Sequence, residues 1–208
     1  MLLFVAWTLW GTGIYTSQQQ NRLTEEFEQL PEIAPKIVKG TGGGKQRFTG
    51  PGDDFQPGPA EGVFTLGIPK IKVQDVVVQG VGVEELKLGP GHYPDCREGF
   101  VEPLCTEGEE IWPGEEGRVI VSAHRTTYGH EFARLDELEE GDEIVTGTQW
   151  GEFTYVVTEV RIVEPNATDI AVPSPGGSNA EIVLTTCHPE FTASQRLIVF
   201  GEIEESTA

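Results

Sequence analysis

From Gly62 to Ile203 the chain is written in short runs of valine, isoleucine, threonine and aromatics, each closed by glycine, proline, aspartate or asparagine. β-Branched residues favour extended backbone and the closing residues favour turns, so this punctuation constrains the fold more than any other feature. Candidate strands run over 63–68, 71–78, 118–123, 143–146, 152–163, 182–186 and 196–203, with short helical turns over 83–88 and 132–138. So many strands in about 145 residues predict an all-β domain closed, or nearly closed, into a barrel. Chemistry then belongs where strand ends meet loops.

A chain of 208 residues holds one domain of ordinary size plus tails. Residues 18–59 are rich in Glu, Gln, Gly and Pro, which reads as a polar stalk and linker, so the folded domain is expected over 60–208. Within the stalk, residues 18–30 suit a polar helix with a narrow stripe of Leu23, Phe27 and Leu30. Residues 1–17 open on a nearly continuous apolar run that includes Trp7 and Trp10. It is shorter than the roughly twenty residues of a span. It reads as an N-terminal membrane anchor that starts further upstream, as the apolar part of a signal peptide, or as a buried core helix. The poor cleavage site around Thr12 to Ser17 favours an uncleaved, single-pass anchor in the cell membrane with the rest of the chain extracellular. A formal net charge of -20 argues against nucleic acid and anionic lipid surfaces as partners, because both need a basic footprint.

Toward the C-terminus, Leu184-Thr185-Thr186-Cys187-His188-Pro189 ends one strand-like run and Arg196 opens the next. If these runs are antiparallel neighbours, the thiol and the guanidinium return to one rim of a sheet. A base is still needed, and His124 closes the run Val119-Ile120-Val121-Ser122-Ala123. Imidazole takes the thiol proton, a nearby cation favours thiolate, and the guanidinium fork can hold an oxyanion. No metal or cofactor is called for: His124, His130, Cys187 and His188 show no recognised ligand spacing, and no D-x-[DN]-x-[DN]-G calcium loop is present. Cys96 and Cys105, eight residues apart in a Gly/Pro/Glu-rich segment, suit a disulfide that staples a surface loop; the alternative is that all three cysteines are reduced.

The wording of His124-Arg125-Thr126-Thr127-Tyr128-Gly129 together with Thr186-Cys187-His188-Pro189, and Arg196 nine positions after the cysteine, resembles the sortases, cysteine transpeptidases of Gram-positive surfaces. It is most similar to the class E sortases of actinobacteria. Gly89-Pro90-Gly91-His92-Tyr93 resembles a turn of the same family. The resemblance implies an eight-stranded β-barrel with short helices, with Cys187 as nucleophile, His124 as acid/base and Arg196 as oxyanion stabiliser. The implied partners are surface proteins with a C-terminal LPXTG or LAXTG sorting signal, cut between Thr and Gly, and a peptidoglycan precursor amine or a pilin lysine that resolves the thioester. Against this pattern, residues 94–117 form a long acidic insert, either a surface elaboration or a lid.

Several residues near the motifs are candidates for substrate binding, each beside a plainer reading. Tyr128 either reads the second position of the signal, favouring Ala because it keeps the backbone N–H that Pro lacks, or packs as wall. Thr127 and Thr186 supply hydroxyls or N–H groups, or serve only as β-formers. His188 lines the site or orients its loop, and His92 lies near the groove or caps its turn. Two competing functions are an L,D-transpeptidase-like wall enzyme, whose S-x-G-C-I-R neighbourhood is absent, and a catalytically silent adhesion domain.

Overall fold

The computed structural model describes residues 12–34, 37–38, 47–48, 50–52, 55–95, 110–166 and 180–207. Eight strands form a barrel: β1 (Gly62–Ile68), β2 (Val73–Gln79), β3 (Gly91–His92), β4 (Gly117–Ser122), β5 (Glu143–Thr148), β6 (Gly151–Val163), β7 (Ala180–His188) and β8 (Gln195–Thr207). Around the barrel the order is β8-β6-β5-β1-β2-β3-β4-β7, and β7 closes it by pairing with β8. Among the described residues only β2 with β3 and β4 with β7 pair in parallel.

The runs of β-branched residues form the strands that sequence predicts, with two instructive differences. The run expected over 71–78 starts late, because Pro69 opens a 3-10 turn over Pro69–Ile71 and Lys72 then takes φ 62°. A fixed proline φ suits the first position of a helical turn. The eighth strand, β3, has no β-branched residue and reads as a turn from sequence. It is two residues long and bridges β2 to β4 by backbone pairing. Gly91 is required there: a Cβ would stand 2.2 Å from the carbonyl oxygen of Gly80. The short turns expected near 83–88 and 132–138 occur as Glu85–Lys87 and Leu135–Glu137.

Strand alternation divides side chains between two faces. Phe64, Leu66, Val119, Val121, Phe153, Tyr155, Leu184, Leu197 and Val199 fill the interior. On the outside lie two further buried clusters. Ile120, Val183, Ile198 and Phe200 make one, and Val76 and Val78 make the other with Leu23. The barrel is thus a filled core whose outer wall is apolar in two places.

The second outer cluster is covered by helix α1 (Thr12–Glu28). Leu23 is buried against Val76 and Val78, Phe27 packs beside it, and Leu30 is exposed. The polar contacts are as telling as the apolar ones. Gln20 is buried; its amide donates to the carbonyls of Val76 (3.0 Å) and Leu88 (2.9 Å) and accepts from the Val76 N–H (2.8 Å). The Thr16 hydroxyl donates to the Lys87 carbonyl at 2.9 Å. Further along, the Ile33 N–H donates to the Gln149 carbonyl at 2.8 Å, and Phe55 packs edge-on to Trp112 and Trp150. The folded body therefore takes in parts of the segments that composition assigns to anchor (1–17) and stalk (18–59). Residues 1–11, which carry most of the expected anchor, lie outside the described residues, and no helix among the described residues is long and apolar enough to cross a membrane.

Between α1 and the 129–134 loop is a polar cavity of about 420 Å³, into which Asp75 and Glu131 project. Glu131 Oε2 is buried with no hydrogen-bond partner among the described residues. Burial pushes Glu131 from 4.5 up to about 8 and Asp75 from 3.8 up to about 6. The folded protein holds these protons where the unfolded chain releases them, so stability falls as pH rises through that window.

Two outcomes follow from this packing. Gln20→Ala leaves the Val76 N–H and C=O without their buried partner, and urea denaturation should show a loss of about 1–3 kcal/mol. Glu131→Gln, neutral at every pH, should denature at higher urea than the parent at about pH 9 and lose that advantage by about pH 5. An equal advantage at both values would show that ionisation is not the cause.

Candidate active site

The expected antiparallel neighbours exist, and their register is direct: Cys187 on β7 is the Cα partner of Arg196 on β8. Residues so paired share a face, with Cβ atoms about 4.5–5.5 Å apart. On the other side of β7 the parallel ladder with β4 ends at Ser122 opposite Thr185. The Ala123 N–H extends it by donating to the Thr185 carbonyl at 3.2 Å. His124 and Cys187 each stand two residues past that last pair, so the two strand ends carry base and thiol to the same rim.

The face is set by alternation. Val121, Ala123, Leu184 and Leu197 point into the barrel, whereas Ile120, Val183 and Ile198 belong to the outer cluster. Counting by twos, His124, Cys187 and Arg196 all fall on the outer side, at the end of an apolar floor made by Ile120, Val183, Ile198 and Phe200. The far end of the floor is closed by charge. Arg118 and Glu181 form an ion pair with side chains 3% exposed each, and Arg118 and Arg161 lie over the Phe200 ring at 4.9 and 4.4 Å.

Each catalytic candidate is held locally. Cys187 is a half-buried free thiol. Arg196 Nη1 donates to the carbonyls of Ala193 and Gln195, both at 3.0 Å, while among the described residues its Nε and Nη2 make no hydrogen bond. Those two donors are available to an oxyanion. His124 has its carbonyl bound by the Phe132 N–H at 3.2 Å and its ring against Tyr128, 5.4 Å between centroids. Burial holds the His124 imidazole below the usual histidine range, so at neutral pH it is a free base able to take the thiol proton.

The loop after His124 is tightly shaped. Tyr128, Gly129 and His130 have φ of 51°, 91° and 49°, and a Cβ at Gly129 would meet Glu131 Oε1 at 2.2 Å and the Thr16 methyl at 2.9 Å. The Tyr128 N–H donates to the Thr12 hydroxyl at 3.3 Å, which ties the loop to α1. Thr127 sits half-buried in the same loop.

Other expected substrate residues take different places. Thr186 faces inward, buried, its hydroxyl donating to the Ala123 carbonyl at 2.8 Å. His188 shares that inward side and accepts from Arg125 Nη1 at 2.8 Å. His92, expected beside the groove, is in the core. Its Nδ1 lies 3.0 Å from Gln79 Oε1, its Nε2 3.0 Å from the Ile111 carbonyl, and its ring is 4.7 Å from Trp112. The next residue, Tyr93, is the one that packs on the outer floor, near enough to Arg196 to feel its charge. Sequence reasoning missed Tyr93 and Arg125. The signals were alternation within His92-Tyr93 and a charged residue in a strand exit that must be buried. Cys96 and Cys105, and most of the acidic insert, lie outside the described residues. Its final part is anchored by Trp112 in the core and by the Gly114 N–H on the Tyr155 hydroxyl at 2.8 Å.

Comparison with known proteins supplies independent findings. The sortase-domain family model matches residues 66–204. Sortase D of Bacillus subtilis is 29% identical over 92% of this chain and 90% of its own length. Sortase SrtE1 of Streptomyces coelicolor is 32% identical over 99% of this chain, which spans 53% of that longer protein. The crystal structure of Sortase E1 from Streptomyces coelicolor with a tripeptide in the active site superposes with a TM-score of 0.61 at 29% identity, covering 73% of this chain and 93% of that one.

The state of the base is open to direct measurement. A nitrogen-15 NMR titration of the His124 ring should give a midpoint below 6.5, the ordinary value. The unfolded chain then takes up that proton first, so the contribution to stability is lost as pH falls through 6.5. A midpoint above 6.5 would instead indicate a resting thiolate–imidazolium pair.

Proposed function

This chain belongs to the sortase family of cysteine transpeptidases, and we propose that it acts as a class E enzyme on the surface of a Gram-positive, actinobacterial cell. Its donor substrate is a C-terminal sorting signal of the LAXTG or LPXTG type, and its acceptor is the amine of a peptidoglycan precursor or of a pilin lysine. The observation that carries this reading is the direct Cys187–Arg196 register beside the His124 strand end.

The chemistry follows from the parts. His124 accepts the Cys187 proton as sulfur attacks the Thr carbonyl, and the free donors of Arg196 receive the oxyanion. The Thr–Gly C–N bond breaks, and His124 returns the proton to the departing glycine amine. The acceptor amine then attacks the thioester, passes its proton through His124, and releases the thiol. The apolar start of the chain supports an N-terminal anchor with the barrel outside the membrane, and the polar, acidic composition suits that setting. The class assignment is supported by the H-R-T-T-Y-G and T-C-H-P wording and by the likeness to SrtE1. A silent adhesion domain has no use for three assembled catalytic groups.

Fluorogenic Leu-Ala-x-Thr-Gly and Leu-Pro-x-Thr-Gly peptides test the proposal. The parent should cleave at least one of them and show a peptide thioester by mass spectrometry. Cys187→Ala should be inactive, and Arg196→Lys, lacking the planar fork, should lose roughly 100-fold in turnover. Cleavage by Cys187→Ala at the parent rate would refute the mechanism.

A further inference from the structure

The interior side of the same strand ends carries a second constellation, centred on Arg125. Its side chain is 3% exposed. Nη2 pairs with Asp136 at 2.9 Å, Nη1 donates to His188 Nδ1 at 2.8 Å, and Nε is buried with no partner among the described residues. Arg125 follows the base in sequence and His188 follows the nucleophile, so this bond joins the two chains one residue beyond the reacting pair. One residue before the pair, the Thr186 hydroxyl binds the Ala123 carbonyl at 2.8 Å. The backbone ladder has already ended between these strands. His124 and Cys187 are therefore bracketed, front and back, by two side-chain bonds made on the opposite face of the sheet.

We propose that Arg125 and His188 form a positioning clasp that sets the distance for proton transfer between Cys187 and His124. A guanidinium has donors only, so in this bond Nδ1 of His188 is the acceptor. Asp136, reaching in from the turn Leu135–Glu137, neutralises the buried cation and aims its fork. The two-ended grip needs a planar donor: a lysine ammonium cannot hold Asp136 and His188 in the same geometry. Thus the Arg that follows His124 and the His that follows Cys187 act through the catalytic residues and touch no reacting atom. This assignment rests on the proposed transpeptidation only for its peptide readout.

The test uses the full chain and the rate of Cys187 alkylation by iodoacetamide at neutral pH, which needs the base but no knowledge of the substrate. His188→Leu should slow alkylation about 10- to 100-fold. His188→Asn, whose Oδ1 stands where Nδ1 was, should stay within about 3-fold of the parent. Arg125→Lys should resemble His188→Leu, and the Arg125→Lys/His188→Leu double variant should be no slower than the slower single one, because both remove one bond. In peptide cleavage the loss should fall on kcat with KM within about 2-fold. Three results overturn the clasp: His188→Asn as slow as His188→Leu, multiplicative losses in the double variant, or a raised KM with kcat unchanged. If the peptides prove to be the wrong substrate, the alkylation series still decides the question.

Discussion

The site depends on the parallel pairing of β4 with β7. Parallel neighbours finish on the same rim, whereas antiparallel ones finish on opposite rims, so only a parallel pair can present a base and a nucleophile from two C-terminal strand ends side by side. The cost is a long crossover, and here the chain between Ser122 and Ala180 spends it on β5 and β6, which close the far side of the barrel. The antiparallel turn from β7 to β8 then returns Arg196 to the same rim. One central strand with a parallel neighbour on one side and an antiparallel neighbour on the other is enough to assemble all three groups.

Around that arrangement, charge and burial are distributed by face. The interior is filled with aliphatic and aromatic side chains, so the candidate catalytic groups stand on the outside of a filled wall and not in a lumen. The cluster beyond them is buried, and burial of His124 itself holds its imidazole below the usual range. At the opposite end the Arg118–Glu181 pair is buried under Phe200, where an unpaired charge would cost several kcal/mol. Helix α1 adds a third element: its Thr12 and Thr16 reach the loop whose tyrosine lies against the base.

What sequence made legible was what hydropathy and motif carry. The β-branched runs yielded seven of the eight strands, and the strand-end positions of Cys187, Arg196 and His124, with the motif wording, pointed to one shared rim. What stayed hidden was built from polar atoms and backbone. Strand β3 has no β-forming side chain and exists through a close backbone approach at Gly91. The polar helix with its Leu23 stripe was legible, but how α1 docks was not, because its polar ties are Gln20 and Thr16, residues that look solvated in any hydropathy reading. Alternation puts His92 and Tyr93 on opposite faces without saying which faces in, and Arg125 finds its partners, Asp136 and His188, only in the folded chain, His188 lying 63 positions away.

The two-residue period of β4, β7 and β8 has a consequence for how such chains can diverge. A single residue gained or lost next to the functional position in one of these strands, where no bulge absorbs it, would turn its functional side chain from the outer face to the interior, and would turn a core residue out to solvent in the same event. Point substitutions leave that parity intact; odd-length insertions that no bulge absorbs disturb function and packing together, whereas β8 accommodates register shifts beyond Phe200 without moving Arg196 off its face. Length change is tolerated best in the connections, and the acidic stretch over 94–117, which lies between two strands and whose last part meets the core at Trp112, is one such connection.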